Sequence, residues 1–199
     1  HVSGIQIGTD KLGHFFNEGF SIYLQNKNRD RVEDKAKAGT LDSKSSEQGA
    51  FGIQTTLIKS YADMSANQSG FKFWEKLCGF SATQKSDEEK NYFQKYKCSK
   101  DAYLKCVVDE KTQKGHWDFN PTQKFTLKDY VTNAWDESIN CSSFDEKISD
   151  KVFSEMNRNA FTYKGNPKQP CPAEPQKCAE LAQTAKGERN RSLINPICY

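Results

Sequence analysis

A chain of 199 residues with a formal net charge of +3 holds enough mass for one domain and a real core. That charge is too small, and its basic and acidic residues too evenly alternated, for a nucleic-acid partner. Aromatic residues at 12% exclude a disordered chain, and no apolar run approaches the roughly eighteen residues that span a bilayer.

The seven cysteines (Cys78, Cys98, Cys106, Cys141, Cys171, Cys178 and Cys198) form no CxxC and match no zinc spacing. They predict three disulfides and one odd thiol in a secreted or periplasmic protein, against the alternative of reduced thiols in a reducing compartment. Their pairing stays open. A first residue other than Met, His1, carries the expectation that an upstream segment such as a signal peptide has been removed.

In chain order, a helix is predicted over 10–26, with Thr9 as its cap. Leu12, Phe15, Phe16, Gly19, Phe20 and Tyr23 fall on one face, and Asp10, His14, Glu18 and Ser21 on the other. The polar segment after it reads as a short exposed helix over 29–38, ended by Gly39, then a loop or hairpin over 43–52. A second helix is predicted over 56–66, running on past Gly70 to Leu77. Its buried side would be Leu57, Ile58, Tyr61, Met64 and Ser65, with Ser60, Asp63 and Asn67 opposite.

An acidic-start helix follows over 86–98, opened by Asp87 and Glu88. Residues 101–110 fit a strand or a helix. A helix over 126–140 has Thr126 and Asp129 close to a capping box and Leu127, Tyr130, Val131, Ala134 and Trp135 on its apolar side. Another helix covers 144–161, and a Pro-rich loop with cysteines leads to a short helix over 179–185. The expected fold is mainly α: a single helical domain over 1–199 with a short hairpin or loop, stapled by disulfides. Residues 1–80 carry the site-bearing helices and 165–199 form a Pro/Cys-rich C-terminal extension.

Asp10, His14 and Glu18 stand four residues apart, one above another on the first helix, and Asp63 and Asn67 repeat the spacing on the second. Packed antiparallel with polar edges adjoining, the two stripes would suit a hard divalent cation or a general acid–base pair. The plainer alternative is a solvated helix face. Gly13 and Gly19 flank the stripe, predicting close packing or a broken helix that presents Glu18 at its end. A carboxyl beside Phe15, Phe20 and Tyr23 is expected to be desolvated and so fit for general-acid duty, as glycoside hydrolysis requires.

Two further places carry aromatic and acidic groups together. Trp135 beside Asp136 and Glu137 reads as a sugar platform or as core, and His116, Trp117 and Asp118 read as a ligand-touching loop or a plug. No cysteine has a His in its own segment, and there is no Gly-x-Ser-x-Gly elbow or phosphate loop, which argues against nucleophilic and phosphoryl chemistry.

"NEGFSIY" at 17–23 resembles the catalytic-glutamate segment of phage-type lysozymes. "SEQGAFGIQTT" at 46–56 is similar to the Ser-x-x-Gly-Ala-x-Gly-Leu-Met-Gln loop of soluble lytic transglycosylases, through Ser46, Gly49, Ala50, Gly52, Ile53 and Gln54. "NQSGFKFWEKL" at 67–77 resembles that family's next segment. The resemblance implies Glu18 as the acid, with Glu33 as an alternative by spacing, and Gln54 lining a sugar cleft, in a lysozyme-like fold. "DKLGHFF" with "SYADMSANQSG" resembles a second pattern, that of VanZ-like bacterial envelope proteins, and groups Asp10 and His14 with Asp63 and Asn67.

The leading expectation is therefore a peptidoglycan glycoside hydrolase, secreted or periplasmic, with Glu18 as general acid and Asp63 or Asp10 orienting water. His14, Gln54, Tyr61, Asn67 and Trp135 would bind substrate. No metal or cofactor is expected, the partner is peptidoglycan or a related glycan, and the chain is expected to be monomeric. The alternative is a non-enzymatic envelope protein that binds a partner or divalent cation through Asp10, His14, Asp63 and Asn67.

Overall fold

The computed structural model describes residues 1–26, 42, 53–78, 101–109, 111–112, 114–158, 171–185 and 190–199. The expectations for 29–38, 43–52 and 86–98, and for Glu33, lie outside these residues.

Helix α1 covers residues 10–26 in three parts: Asp10–Gly13, a π-helical turn His14–Glu18, and Gly19–Asn26. Thr9 does not cap it; its own backbone is already helical and its hydroxyl makes no cap bond. The wide turn rotates the helix relative to a regular 3.6-residue wheel. Phe15, Gly19, Ile22 and Tyr23 are buried, whereas Phe16 and Phe20, expected on the same face, are exposed.

The chain then forms a short helix α2 (Ile53–Thr56), strand β1 (Ile58–Lys59) and the long helix α3 (Tyr61–Cys78). The second helix thus starts later than its periodicity predicts. Strand β4 (Ser143–Phe144) pairs antiparallel with β1 and holds Ile58 and Lys59 extended. Ser60 opens α3, its Oγ accepting the Asp63 N–H at 3.1 Å, as a helix N-cap does. The helix runs unbroken through Gly70.

Helices α1 and α3 run parallel. Lys11 meets Asp63, His14 meets Asn67, and the Trp74 indole donates to the Phe16 carbonyl at 3.0 Å, so both chains advance together. The antiparallel arrangement expected from the sequence is corrected here: an intervening segment as long as 27–60 can carry the chain back to the starting end. The crossing has no room for side chains. A Cβ on Gly70 would lie 1.9 Å from the Phe15 carbonyl oxygen, and one on Gly19 would lie 2.6 Å from the Gly70 Cα.

Around this crossing Phe15, Ala66, Phe73, Tyr103, Val131 and Trp135 form an aromatic core. Strands β2 (Leu104–Val108) and β3 (Gly115–Phe119) make an antiparallel hairpin, with Cys106 opposite Trp117. The segment that fitted a strand or a helix thus supplies a strand at Leu104–Val108, and His116, Trp117 and Asp118, expected in a loop, lie on β3. The helix expected over 126–140 is replaced by two 3-10 turns, Leu127–Asp129 and Asn133–Trp135. Thr132 is extended and its side chain accepts the Ala134 N–H, while Asp136 captures the Ser138 N–H and hydroxyl. Such short polar side chains compete with helical hydrogen bonding.

Helix α4 (Glu146–Arg158) and helix α5 (Pro175–Thr184) follow, the latter with Pro at its first position and starting earlier than predicted. Two disulfides are formed, Cys141–Cys171 and Cys178–Cys198. The side chains of Cys78, Cys98 and Cys106 lie outside the described set, and with them the third predicted bridge. Among the described residues no helix is long and apolar enough to cross a membrane.

Candidate functional site

Parallel packing puts the polar residues of α1 and α3 level with one another, turn by turn. At the centre is Lys11, which precedes Phe15 by four residues and so points inward with it; its side chain is 0% exposed. Its ammonium pairs with Asp63 Oδ1 at 2.5 Å, Asp10 Oδ2 at 2.7 Å and Glu137 Oε1 at 2.8 Å. Glu137 Oε1 also accepts the Ser60 hydroxyl at 3.1 Å. Ser60 therefore serves both the start of α3 and the cage around the lysine.

His14 extends the network. Its Nε2 lies 3.3 Å from Asp63 Oδ2, and its Nδ1 is 2.9 Å from Asn67 Oδ1. Asn67 is fully buried, and its Nδ2 has no hydrogen-bond partner. An amide held on one ring nitrogen fixes the imidazole plane and aims the other nitrogen at Asp63.

The electrostatics follow from these distances. Burial pushes the Lys11 pKa down, but the charges of Asp63 and Glu137 and the bond to Asp10 outweigh it and raise it above the ordinary lysine value. Burial pushes the Asp63 carboxyl up, and the hydrogen bond with His14 and the Lys11 charge outweigh that, holding it below the usual carboxylate range. Lys11 and Asp63 thus face each other as a charged pair. Three carboxylates share one ammonium, which leaves the cluster an excess of negative charge.

Asp10, His14 and Asp63 can each offer one ligand atom, and these atoms all lie within 4.8 Å of one another. One imidazole nitrogen with two carboxylate oxygens is a donor set that a divalent cation can use.

Of the residues predicted from sequence, Asp10, His14, Asp63 and Asn67 come together. Glu18 is half-buried at the end of the π turn, one helical turn beyond His14, and takes no part in the network. Gln54 is exposed on α2. Tyr61 is buried with Met64 and Leu193, with the Lys59 ammonium 4.6 Å above its ring. Trp135 is fully buried, packed on Phe15 at 5.5 Å between ring centres and donating from Nε1 to Ser69 Oγ at 3.3 Å. Its ring has no open face on which a sugar could stack, which corrects the platform reading in favour of core. His116, Trp117 and Asp118 are exposed on β3.

Sequence reasoning missed Lys11 and singled out Glu137 only as an acid beside Trp135, not as a partner of the helix pair. The signal for Lys11 was its place four residues before Phe15, among otherwise inward-facing positions; nothing local ties Glu137 to Lys11, because a turn far along the chain brings it in. Compared with protein-family models, with curated proteins and with solved structures, the chain matches none.

Proposed function

We propose that this protein is an extracytoplasmic binding protein whose α1–α3 seam holds a divalent cation through Asp10, His14 and Asp63. The observation that carries the reading is the convergence of those three donors within 4.8 Å from two parallel helices. Asn67 on the Nδ1 side of His14 is the outer partner that metal-binding imidazoles commonly have. Surplus negative charge around Lys11 supports a cation over an anion. An imidazole in the set favours a borderline ion such as Zn²⁺ over Ca²⁺ or Mg²⁺. The two disulfides support a location outside the reducing cytoplasm.

Calorimetric titration of the whole chain with Zn²⁺, Mn²⁺ and Ca²⁺ tests this. Zn²⁺ is expected to bind one equivalent in the wild type and about tenfold or more weakly in His14→Ala, the scale of losing a ligand or its support. Equal Zn²⁺ binding by wild type, His14→Ala and Asp63→Asn would rule out the site.

A second reading, a peptidoglycan glycoside hydrolase with Glu18 as general acid, is favoured by one observation. Glu18 is half-buried at the end of the π turn, one turn from His14 on the same helix, and π turns recur at functional sites. Release of muropeptides from purified sacculi by the wild type, abolished in Glu18→Gln, is the expected result under this reading. Equal release by both proteins removes Glu18 from the chemistry.

A further inference from the structure

Glu137 reaches the Lys11 ammonium from a turn, whereas Asp10 and Asp63 reach it from helices pinned by the Gly19–Gly70 contact. That turn has its own internal bonds: Asp136 Oδ1 accepts from the Ser138 N–H at 2.9 Å and the Ser138 hydroxyl at 2.6 Å, and the Asp136 carbonyl accepts the Asn140 N–H at 2.7 Å. Its next residue, Cys141, is bridged to Cys171. The far end of the bridge returns to the turn. Cys171 Sγ lies 3.2 Å from the Glu137 carbonyl oxygen and 3.5 Å from that of Ser138, and the Ala173 N–H donates to the Ser138 carbonyl at 2.7 Å. Cys171 is half-buried, whereas both cysteines of the other bridge, Cys178–Cys198, are buried. The bridge a solution reductant meets first is thus the one that clamps Glu137.

We propose that the Cys141–Cys171 disulfide is a redox-sensitive lock on the Lys11 cage. A dithiol reductant breaks the S–S bond by thiol–disulfide exchange: its two electrons and two protons give two protein thiols, and the reductant closes to its own disulfide. The segment beginning at Cys171 then no longer clamps the turn, Glu137 withdraws, and the Lys11 ammonium becomes open to solvent on that side. Asp10 and Asp63 stay in place on their helices. The change is local to one wall of the cage.

Acylation of lysines by a small activated ester, mapped by peptide mass spectrometry, reads the lock directly and requires no metal. Oxidised wild type is expected to leave Lys11 unlabelled while exposed Lys72 and Lys76 react. In the Cys141→Ser/Cys171→Ser protein, Lys11 is expected to label about tenfold faster or more, as in a local opening rather than global unfolding. Amide exchange across α3 should stay unchanged, and the Cys178→Ser/Cys198→Ser protein should keep Lys11 protected. Glu137→Ala in the oxidised protein, which removes that wall outright, should reproduce the exposure. Lys11 remaining protected without the Cys141–Cys171 bridge overturns the proposal. So does labelling that rises only together with exchange throughout α3, or equally on loss of either bridge.

Discussion

Lys11 is a fully buried cation whose partners come from three places: its own neighbour, the facing helix and a turn more than a hundred residues away. Removing one partner of a buried pair leaves a charge without water or counterion, which costs far more than loss of a surface salt bridge. Asp63→Asn is therefore expected to destabilise the chain by about 3 kcal/mol, the low end for such pairs because Asp10 and Glu137 remain. The same pair fixes the pH dependence. Asp63 has a lowered folded-state pKa, so its contribution is complete above the ordinary carboxylate range and is lost as pH falls through the folded value. Lys11 has a raised one, so its contribution is complete at and below the ordinary lysine range and is lost only in stronger alkali. Urea midpoints from pH 7 down to about pH 2 should fall more steeply for the wild type than for Asp63→Asn. Parallel curves would show that Asp63 is not the titrating group.

At the scale of elements, the two helices meet backbone to backbone, and the glycines Gly13 on α1 and Gly70 on α3 have opposite roles. Gly13 has helical dihedrals, and a Cβ there would meet nothing within 4 Å. Gly70 is pressed against the Phe15 carbonyl. Gly13→Ala is expected to raise stability by about 0.5–1 kcal/mol, since alanine loses less backbone entropy in a helix. Gly70→Ala is expected to cost about 3 kcal/mol, because the intruding atom meets backbone that cannot rotate aside. Equal effects in thermal or urea unfolding would disprove the crossing geometry. Gly13 and Gly19 both flank the polar stripe, but only the partner helix tells them apart, since a Cβ on the first meets nothing and one on the second meets the Gly70 backbone: spacing along one chain does not say which side a neighbour occupies.

Across the whole molecule, the C-terminal segment closes over α3. The Leu193 carbonyl accepts from the Ser65 hydroxyl and from Asn140 Nδ2, and Asn195 donates to the Cys141 carbonyl at 2.7 Å. The Cys178–Cys198 bridge, with a sequence separation of 20, ties this segment to α5. On chain-entropy grounds its loss should cost about 3 kcal/mol. Unfolding of Cys178→Ser/Cys198→Ser at a midpoint equal to the wild type would mean that the buried asparagines hold the segment unaided.

The amino-acid pattern alone determined the existence of the two N-terminal helices and the polar stripe on each, Asp10 with His14 and Asp63 with Asn67, because i,i+4 spacing is a property of one helix. It also determined that cysteines staple the C-terminal part. Tertiary structure decided the rest: the parallel sense of the helices, the inward turn of Lys11, the arrival of Glu137 and the burial of Trp135. Each depends on which surfaces meet after the chain has returned on itself. Local periodicity is blind to that, since it records which side of an element is apolar and not what is packed against it.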